Sequence, residues 1–151
     1  MDLGLKGLRA VVTGGTRGIG LKIAETLASE GAHVAICSRN ADEVKSVAAS
    51  LSEHGTATLG GCVDVADGRA VTSWVEQAAS LFGGIDIVVA NVSALSISHD
   101  EESWRQGFDV DMMGTVRLVN AAMPHLEKSE AASIVTIASV SGREVDFAAG
   151  P

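Results

Sequence analysis

An apolar run at residues 8–12 ends in Thr13-Gly14-Gly15-Thr16-Arg17-Gly18-Ile19-Gly20, and this stretch constrains the chain more than any other. It reads as a strand that turns through glycines directly into a helix. Gly14 can take a tight bend that a side chain would block. Gly18 lets the backbone come close to a bound group, and Gly20 lets the new helix lie close on its strand. The start of that helix presents unpaired N–H groups and the positive end of its dipole, which together suit a phosphate. The spacing is G-x-x-x-G-x-G, not the commoner G-x-G-x-x-G. Alone, it is equally compatible with an ordinary glycine-rich turn.

The rest of the chain alternates short β-branched runs with helical patterns. The first strand is expected at residues 8–13, followed by a helix with Ile19, Ile23 and Leu27 at helical spacing and Gly31 as its stop. A second strand follows at 33–38. Asn40 and Glu43 then form a capping box ahead of Val44, Val47, Ala48 and Leu51. A third strand is expected at 57–64, weakened by Gly60 and Gly61. Asp67 caps the next helix, which turns Val71, Trp74, Val75, Ala78 and Phe82 inward and ends at Gly83-Gly84.

The fourth strand is expected at 85–91, opened by Asp86. A long helix follows from near Glu101 to Met123, with Pro124 near its end. Trp104, Phe108, Met112, Thr115 and Val119 line one face, and Val110, Met113, Leu118 and Ala121 another. Two apolar faces imply burial against the sheet and against something else. A fifth strand is expected at 133–138. Five strands alternating with four helices imply right-handed βαβ units, hence a doubly wound α/β fold with one parallel sheet.

Composition narrows the function. The chain has 151 residues, one domain's worth, and 46% of them are hydrophobic, enough for a sizeable core. A net charge of −8 argues against a general nucleic-acid binder. Such a protein must supply local positive charge to hold an anion, and Arg17 and Arg39 are the candidates. Cys37 and Cys62 have no metal or redox spacing, which suits a reducing, cytoplasmic setting. His33, His54, His99 and His125 are scattered and expected at the surface or strand edges. Trp74 and Trp104 are expected to pack, and Met112, Met113 and Met123 to fill core or interface. No apolar run approaches the roughly 18 residues of a membrane span, and the N-terminus has no secretory pattern.

Taken together, the motifs resemble those of the short-chain dehydrogenase/reductase family. Thr13–Gly20 matches its T-G-x-x-x-G-x-G turn, and Asp64-Val65 falls where the family places an adenine-contacting Asp. Asp86 to Ser93 resembles its D-x-x-V-N-N-A-G strand. Phe108 to Gly114 resembles the helix segment that usually carries an Asn, and Ile134 to Gly142 the strand that ends in the catalytic Ser. The resemblance implies a Rossmann-like sheet of order 3-2-1-4-5 with a dinucleotide across its carboxyl edge. It implies hydride transfer between a nicotinamide and a carbonyl or alcohol carbon of a small molecule. Gly14, Thr16, Gly18, Ile19 and Gly20 would cradle the pyrophosphate, Asp64 and Val65 would meet the adenine, and Asn91 would line the groove. Ser139, followed by Val140, would hydrogen-bond the substrate oxygen, with Ser141 as the less favoured register. A homo-oligomer is expected by the same resemblance.

The cofactor can be argued physically. An acid after the second strand would grip a ribose 2′-OH and repel a 2′-phosphate. Here that place reads Cys37-Ser38-Arg39-Asn40. Arg39 can pair a phosphate, Arg17 can approach from the glycine turn, and Ser38 can donate. NADP(H) is therefore expected, with NAD(H) possible. The alternative is that Arg39 is solvated surface.

Three departures from the family pattern matter. The family's Y-x-x-x-K motif would fall just beyond Pro151, and the chain has no tyrosine. General acid catalysis needs a positioned proton donor, so the chain alone is expected to be inactive and to be the first part of a longer reductase domain. Asp111 stands in place of the helix Asn, either to hold a relay water or as polar helix surface, and Ala90 and Ser93 replace an Asn and a Gly. Without the remainder, the fifth strand is an edge and part of the long helix is uncovered. Self-association of the isolated chain is the expected result, and a monodisperse monomer in light scattering would contradict it. A non-catalytic nucleotide-binding module, acting as sensor or partner subunit, is the competing reading, and an interaction protein that binds no nucleotide is a third.

Overall fold

A computed structural model describes residues 3–96 and 98–139 of the chain. The elements run β1 (Arg9–Thr13), α1 (Gly18–Ser29), β2 (His33–Ser38), α2 (Ala41–Ser52), β3 (Thr58–Cys62), α3 (Gly68–Phe82), β4 (Ile87–Ala90), α4 (Glu101–Gly107), α5 (Gly114–Leu126) and β5 (Ser133–Thr136). The strands form one sheet in the order β3-β2-β1-β4-β5, and every pairing is parallel. This is the winding expected from the alternation of strand and helix patterns.

The inner strands β1, β2 and β4 are buried on both faces because their central residues are apolar. Alternate residues of each strand point to opposite sides. Ala10, Val12, Val34 and Ile36 meet Ala24 and Leu27 of α1 and Leu51 of α2. Val11, Ala35 and Val88 meet Val71, Trp74 and Val75 of α3 and Leu118 and Ala122 of α5. The helix starts follow the capping logic of the sequence. Asn40 Oδ1 accepts from the backbone of Asp42 and Glu43, and Asp67 Oδ1 from that of Arg69 and Ala70. Gly83 ends α3 with φ +81°, a left-handed cap that glycine adopts freely.

Four expectations are corrected. Gly60 and Gly61 do not weaken β3 but permit it. A Cβ on Gly60 would lie 2.6 Å from Val44 Cγ1, and one on Gly61 2.4 Å from Trp74 Cδ1. The long helix is interrupted by a π-type segment, Phe108–Met113, between α4 and α5, and it continues past Pro124 to Leu126. The wider turn shifts the helical register, so the outward apolar face runs through Trp104, Phe108, Met112 and Val116. Trp104 is 56% exposed rather than packed. Ile19 is 63% exposed and faces away from the stripe it shares in periodicity with Ile23 and Leu27.

At the amino edge of the sheet, Arg9 and Asp86 join β1 to the start of β4. Arg9 Nε donates to Asp86 Oδ2 at 2.7 Å and Arg9 Nη2 to Asp86 Oδ1 at 2.6 Å. The Ser129 hydroxyl donates to Asp86 Oδ1 at 2.6 Å. Asp86 is thus a structural anchor, as a strand-opening residue should be. His33 is half-buried; its Nδ1 accepts from Ala57 N–H, and its ring stacks on Phe82.

Candidate active site

Parallel strands bring all their carboxyl ends to one edge, and that is where the sequence-predicted residues gather. The glycine turn leaves β1 there and is held on both sides. Gly14 N–H and Gly15 N–H donate to Cys37 O at the end of β2. On the other side Asn91 Nδ2 donates to Thr13 O at 3.1 Å and Gly14 O at 3.2 Å. Asn91 N–H donates to Thr13 Oγ1. Asn91, expected as a groove-lining residue, therefore fixes the backbone of the turn.

The glycines show why they are glycines. Gly14 and Gly18 have φ of +65° and +57°, a region that side-chain-bearing residues rarely adopt. A Cβ on Gly20 would lie 2.2 Å from Gly14 O and 2.3 Å from Asn91 Nδ2, so only glycine lets α1 start this close to the turn. A Cβ on Gly18 would meet nothing within 4 Å, so the space above it is open. Arg17 at the N-cap of α1 gives no side-chain cap, unlike Asn40, Asp67 and Asp100 at their helices. The first-turn N–H groups of α1 thus receive no side-chain oxygen from their cap residue, which suits an exogenous anion.

Thr16 is buried, and its hydroxyl donates to Glu43 Oε2 at 3.1 Å. Glu43 Oε1 accepts from Asn40 Nδ2. Sequence reasoning read Glu43 only as half of a capping box and missed this strap between the glycine turn and α2. The tie occupies both oxygens of the Glu43 carboxylate. Ser38 Oγ accepts from Asn40 N–H at 3.2 Å. Arg17 and Arg39 are exposed, and among the described residues neither guanidinium pairs with a carboxylate. Cys37 is buried, and burial pushes its thiol up to about 12 against the lowering effect of a Gly14 backbone hydrogen bond. It is therefore no nucleophile at neutral pH.

Beyond β3, Asp64 is exposed and its Oδ1 accepts from Ala66 N–H. Val65 is only 5% exposed, and a Cβ on Gly114 would lie 2.9 Å from Val65 Cγ2. Its carbonyl accepts from Arg117 Nη1 at 3.3 Å. Arg117 also pairs with Asp109 at 2.6 Å. The Val65 side chain thus packs against the start of α5. Arg117 was missed because its partners come from the segment after β3 and from the π-type segment.

Past β4, Asp111 meets the loop that carries Ser93. Asp111 Oδ1 accepts from Ala94 N–H at 2.6 Å, and Oδ2 from the Ser93 hydroxyl at 3.0 Å. Two of the three substituted positions of the family pattern, Ser93 and Asp111, are thus bonded to each other. On β5, Thr136 pairs with Ala90 and Ile137 N–H donates to Ala90 O. Ser139, two residues on, is exposed at the same edge. Val140, Ser141 and Gly142 lie outside the described residues. Among the described residues no group of His, Cys, Asp and Glu is placed to hold a metal ion, and no helix is long and apolar enough to cross a membrane.

A sheet wound 3-2-1-4-5, with a glycine turn after its first strand and an open carboxyl edge, defines a nucleotide-binding protein of the Rossmann type. Residues 9–150 match the short chain dehydrogenase family, and the chain belongs to it. It is 40% identical over 147 residues to isoepoxydon dehydrogenase patN of Penicillium expansum, covering 95% of this chain and 57% of that enzyme. L-Sorbose reductase of Gluconobacter frateurii, solved with NADPH and L-sorbose, is 35% identical with a TM-score of 0.93, over 99% of this chain and 59% of that one. A short chain dehydrogenase of Burkholderia cenocepacia, solved with NADP, is 33% identical with a TM-score of 0.89, over 96% and 60%. The chain spans between 57% and 60% of the length of these relatives.

Proposed function

We propose that the chain is the nucleotide-binding part of a single-domain NADP(H)-dependent oxidoreductase that interconverts a small carbonyl compound and a secondary alcohol. The observation that carries this reading is the convergence of the glycine turn, Arg17, Ser38, Arg39 and Ser139 on one sheet edge. The open space over Gly18 and the first turn of α1 suit the pyrophosphate. Gly14, Thr16, Gly18, Ile19 and Gly20 form its cradle, Asp64 stands on the adenine side, and Asn91 keeps the turn in shape. When bound, the nicotinamide exchanges a hydride with the substrate carbon. The Ser139 hydroxyl donates to the substrate oxygen, where a fixed donor counts most as negative charge develops. The 151 residues contain no tyrosine to serve as proton donor. Residues 1–151 alone are expected to bind nucleotide without turnover.

Two guanidinium groups that pair with no carboxylate among the described residues, at the rim of an acidic protein, support NADP(H) over NAD(H). The strap from Thr16 and Asn40 to Glu43 supports it too, because it keeps that carboxylate engaged. The apolar stripe through Trp104, Phe108 and Met112 supports a homo-oligomer, and the free thiols of Cys37 and Cys62 a cytoplasmic location.

The test is a nicotinamide fluorescence titration of the protein as its gene encodes it, followed by NADPH consumption against a panel of small ketones. Arg39→Ala is expected to weaken NADPH by about ten- to hundredfold, the loss of one charged hydrogen bond, and to leave NADH within a few-fold. Equal losses for both nucleotides would remove Arg39 from the 2′-phosphate site. No binding of either would overturn the function.

A further inference from the structure

The loop after β4 is held by one side chain. Asp111 lies in the π-type segment Phe108–Met113, a widened turn of the kind that recurs at functional sites. Its carboxylate accepts from Ala94 N–H and from the Ser93 hydroxyl. Ser93 Oγ in turn accepts from Leu95 N–H at 3.1 Å. Leu95 pays in conformation: its φ is +51°, and among the described residues it alone takes a positive φ without being glycine. Its side chain is 82% exposed. A leucine holds a left-handed backbone only where its surroundings impose it, and such outliers gather at functional sites. The surroundings here are two hydrogen bonds that end on Asp111, from Ala94 N–H and the Ser93 hydroxyl, and a third from Leu95 N–H to that same hydroxyl. The loop leaves β4 at the edge where the neighbouring β5 delivers Ser139.

We infer that Asp111 is a positioning residue: through Ser93 and Ala94 it locks the loop so that Leu95 holds its apolar side chain against the substrate at the carboxyl edge. The substrate part of this inference rests on the oxidoreductase reading above. An aspartate suits the task because both its oxygens accept, matching two donors, whereas an asparagine offers one acceptor and one amide donor. With both oxygens engaged in the loop, the Asp111 side chain is not polar helix surface. The substrate favoured by such a site presents hydrocarbon next to its carbonyl.

The experiment uses the protein as its gene encodes it, with cyclohexanone and dihydroxyacetone as an apolar and a polar probe. Asp111→Ala is expected to speed amide hydrogen exchange at Ala94 and Leu95. It is also expected to raise KM for cyclohexanone roughly tenfold, the scale of a lost apolar contact, with NADPH affinity unchanged. Asp111→Asn should restore Ala94 protection and most of the KM, since its carbonyl can still accept from that N–H. Leu95→Ser should raise KM for cyclohexanone more than for dihydroxyacetone. Unchanged exchange at Ala94 in Asp111→Ala overturns the latch. A fall in kcat with KM unchanged overturns the positioning role in favour of a proton relay. Absence of NADPH binding in the parent protein overturns the oxidoreductase reading and the substrate contact with it, while the exchange data still decide the latch.

Discussion

Gly20→Ala is expected to weaken NADPH binding by roughly a hundredfold or more, the equivalent of one or two charged hydrogen bonds. The added methyl would sit 2.2 Å from Gly14 O and 2.3 Å from Asn91 Nδ2. Neither neighbour is a flexible side-chain end that can swing away. Gly14 O is backbone, and Asn91 Nδ2 is already tied to Thr13 O and Gly14 O. The start of α1 must therefore move off the turn, and the N–H groups that aim at a phosphate move with it. Overpacking of this kind also costs about 1–3 kcal/mol of stability. A control at Gly55 separates the two effects. It also has a positive φ, +78°, but it has open space around it and lies between α2 and β3, away from the turn. Gly55→Ala should lower the melting temperature and leave NADPH affinity alone. Parental NADPH affinity in Gly20→Ala would show that the glycine turn is not the nucleotide site.

Asp86→Ala is expected to lower the stability of the fold by about 1–3 kcal/mol, the cost of leaving polar groups without their acceptor when the partly exposed Arg9 can still reach water. Asp86 is 3% exposed. Its removal leaves the Arg9 guanidinium, the Arg9 backbone N–H and the Ser129 hydroxyl without their shared acceptor. The same contacts set a pH dependence. The Arg9 guanidinium holds the Asp86 carboxyl below its ordinary value of 3.8; burial opposes this, and the Ser129 hydroxyl and the Arg9 backbone N–H add to it. A carboxylate with a depressed folded pKa stabilises the fold fully above its unfolded pKa. That contribution is lost as pH falls from the unfolded value through the folded one. Urea titrations at pH 7 and through the acid range check both statements. The parent should lose stability below about pH 4, and Asp86→Asn should lack that part of the loss. A variant within experimental error of the parent at pH 7 would show that the pair contributes nothing net.

Much of the fold and some of the site were legible before any coordinates. The caps at Asn40 and Asp67 act within three residues, and the strand and helix periodicities repeat every two to four. The demand for glycine at positions 14 and 18 arises from local backbone conformation. Right-handed βαβ winding then leaves little freedom in strand order. The register of the long helix was not legible, because the wide turn at Phe108–Met113 breaks the period on which any reading of its faces depends. Gly60 and Gly61 looked like flaws in β3 for a related reason: what crowds them, Val44 and Trp74, comes from α2 and α3.

The sequence by itself therefore determined the alternation of elements, the winding of the sheet and the place of the glycine turn, since each rests on forces between near neighbours along the chain. Tertiary structure alone decided what the polar side chains away from the helix caps do. Asp111 finds its donors 17 and 18 residues away, Thr16 finds Glu43 across 27, and Arg9 finds Asp86 across 77. A hydrogen bond depends on a few tenths of an ångström and on the direction of its donor, and no spacing along a sequence carries that information until the chain has folded.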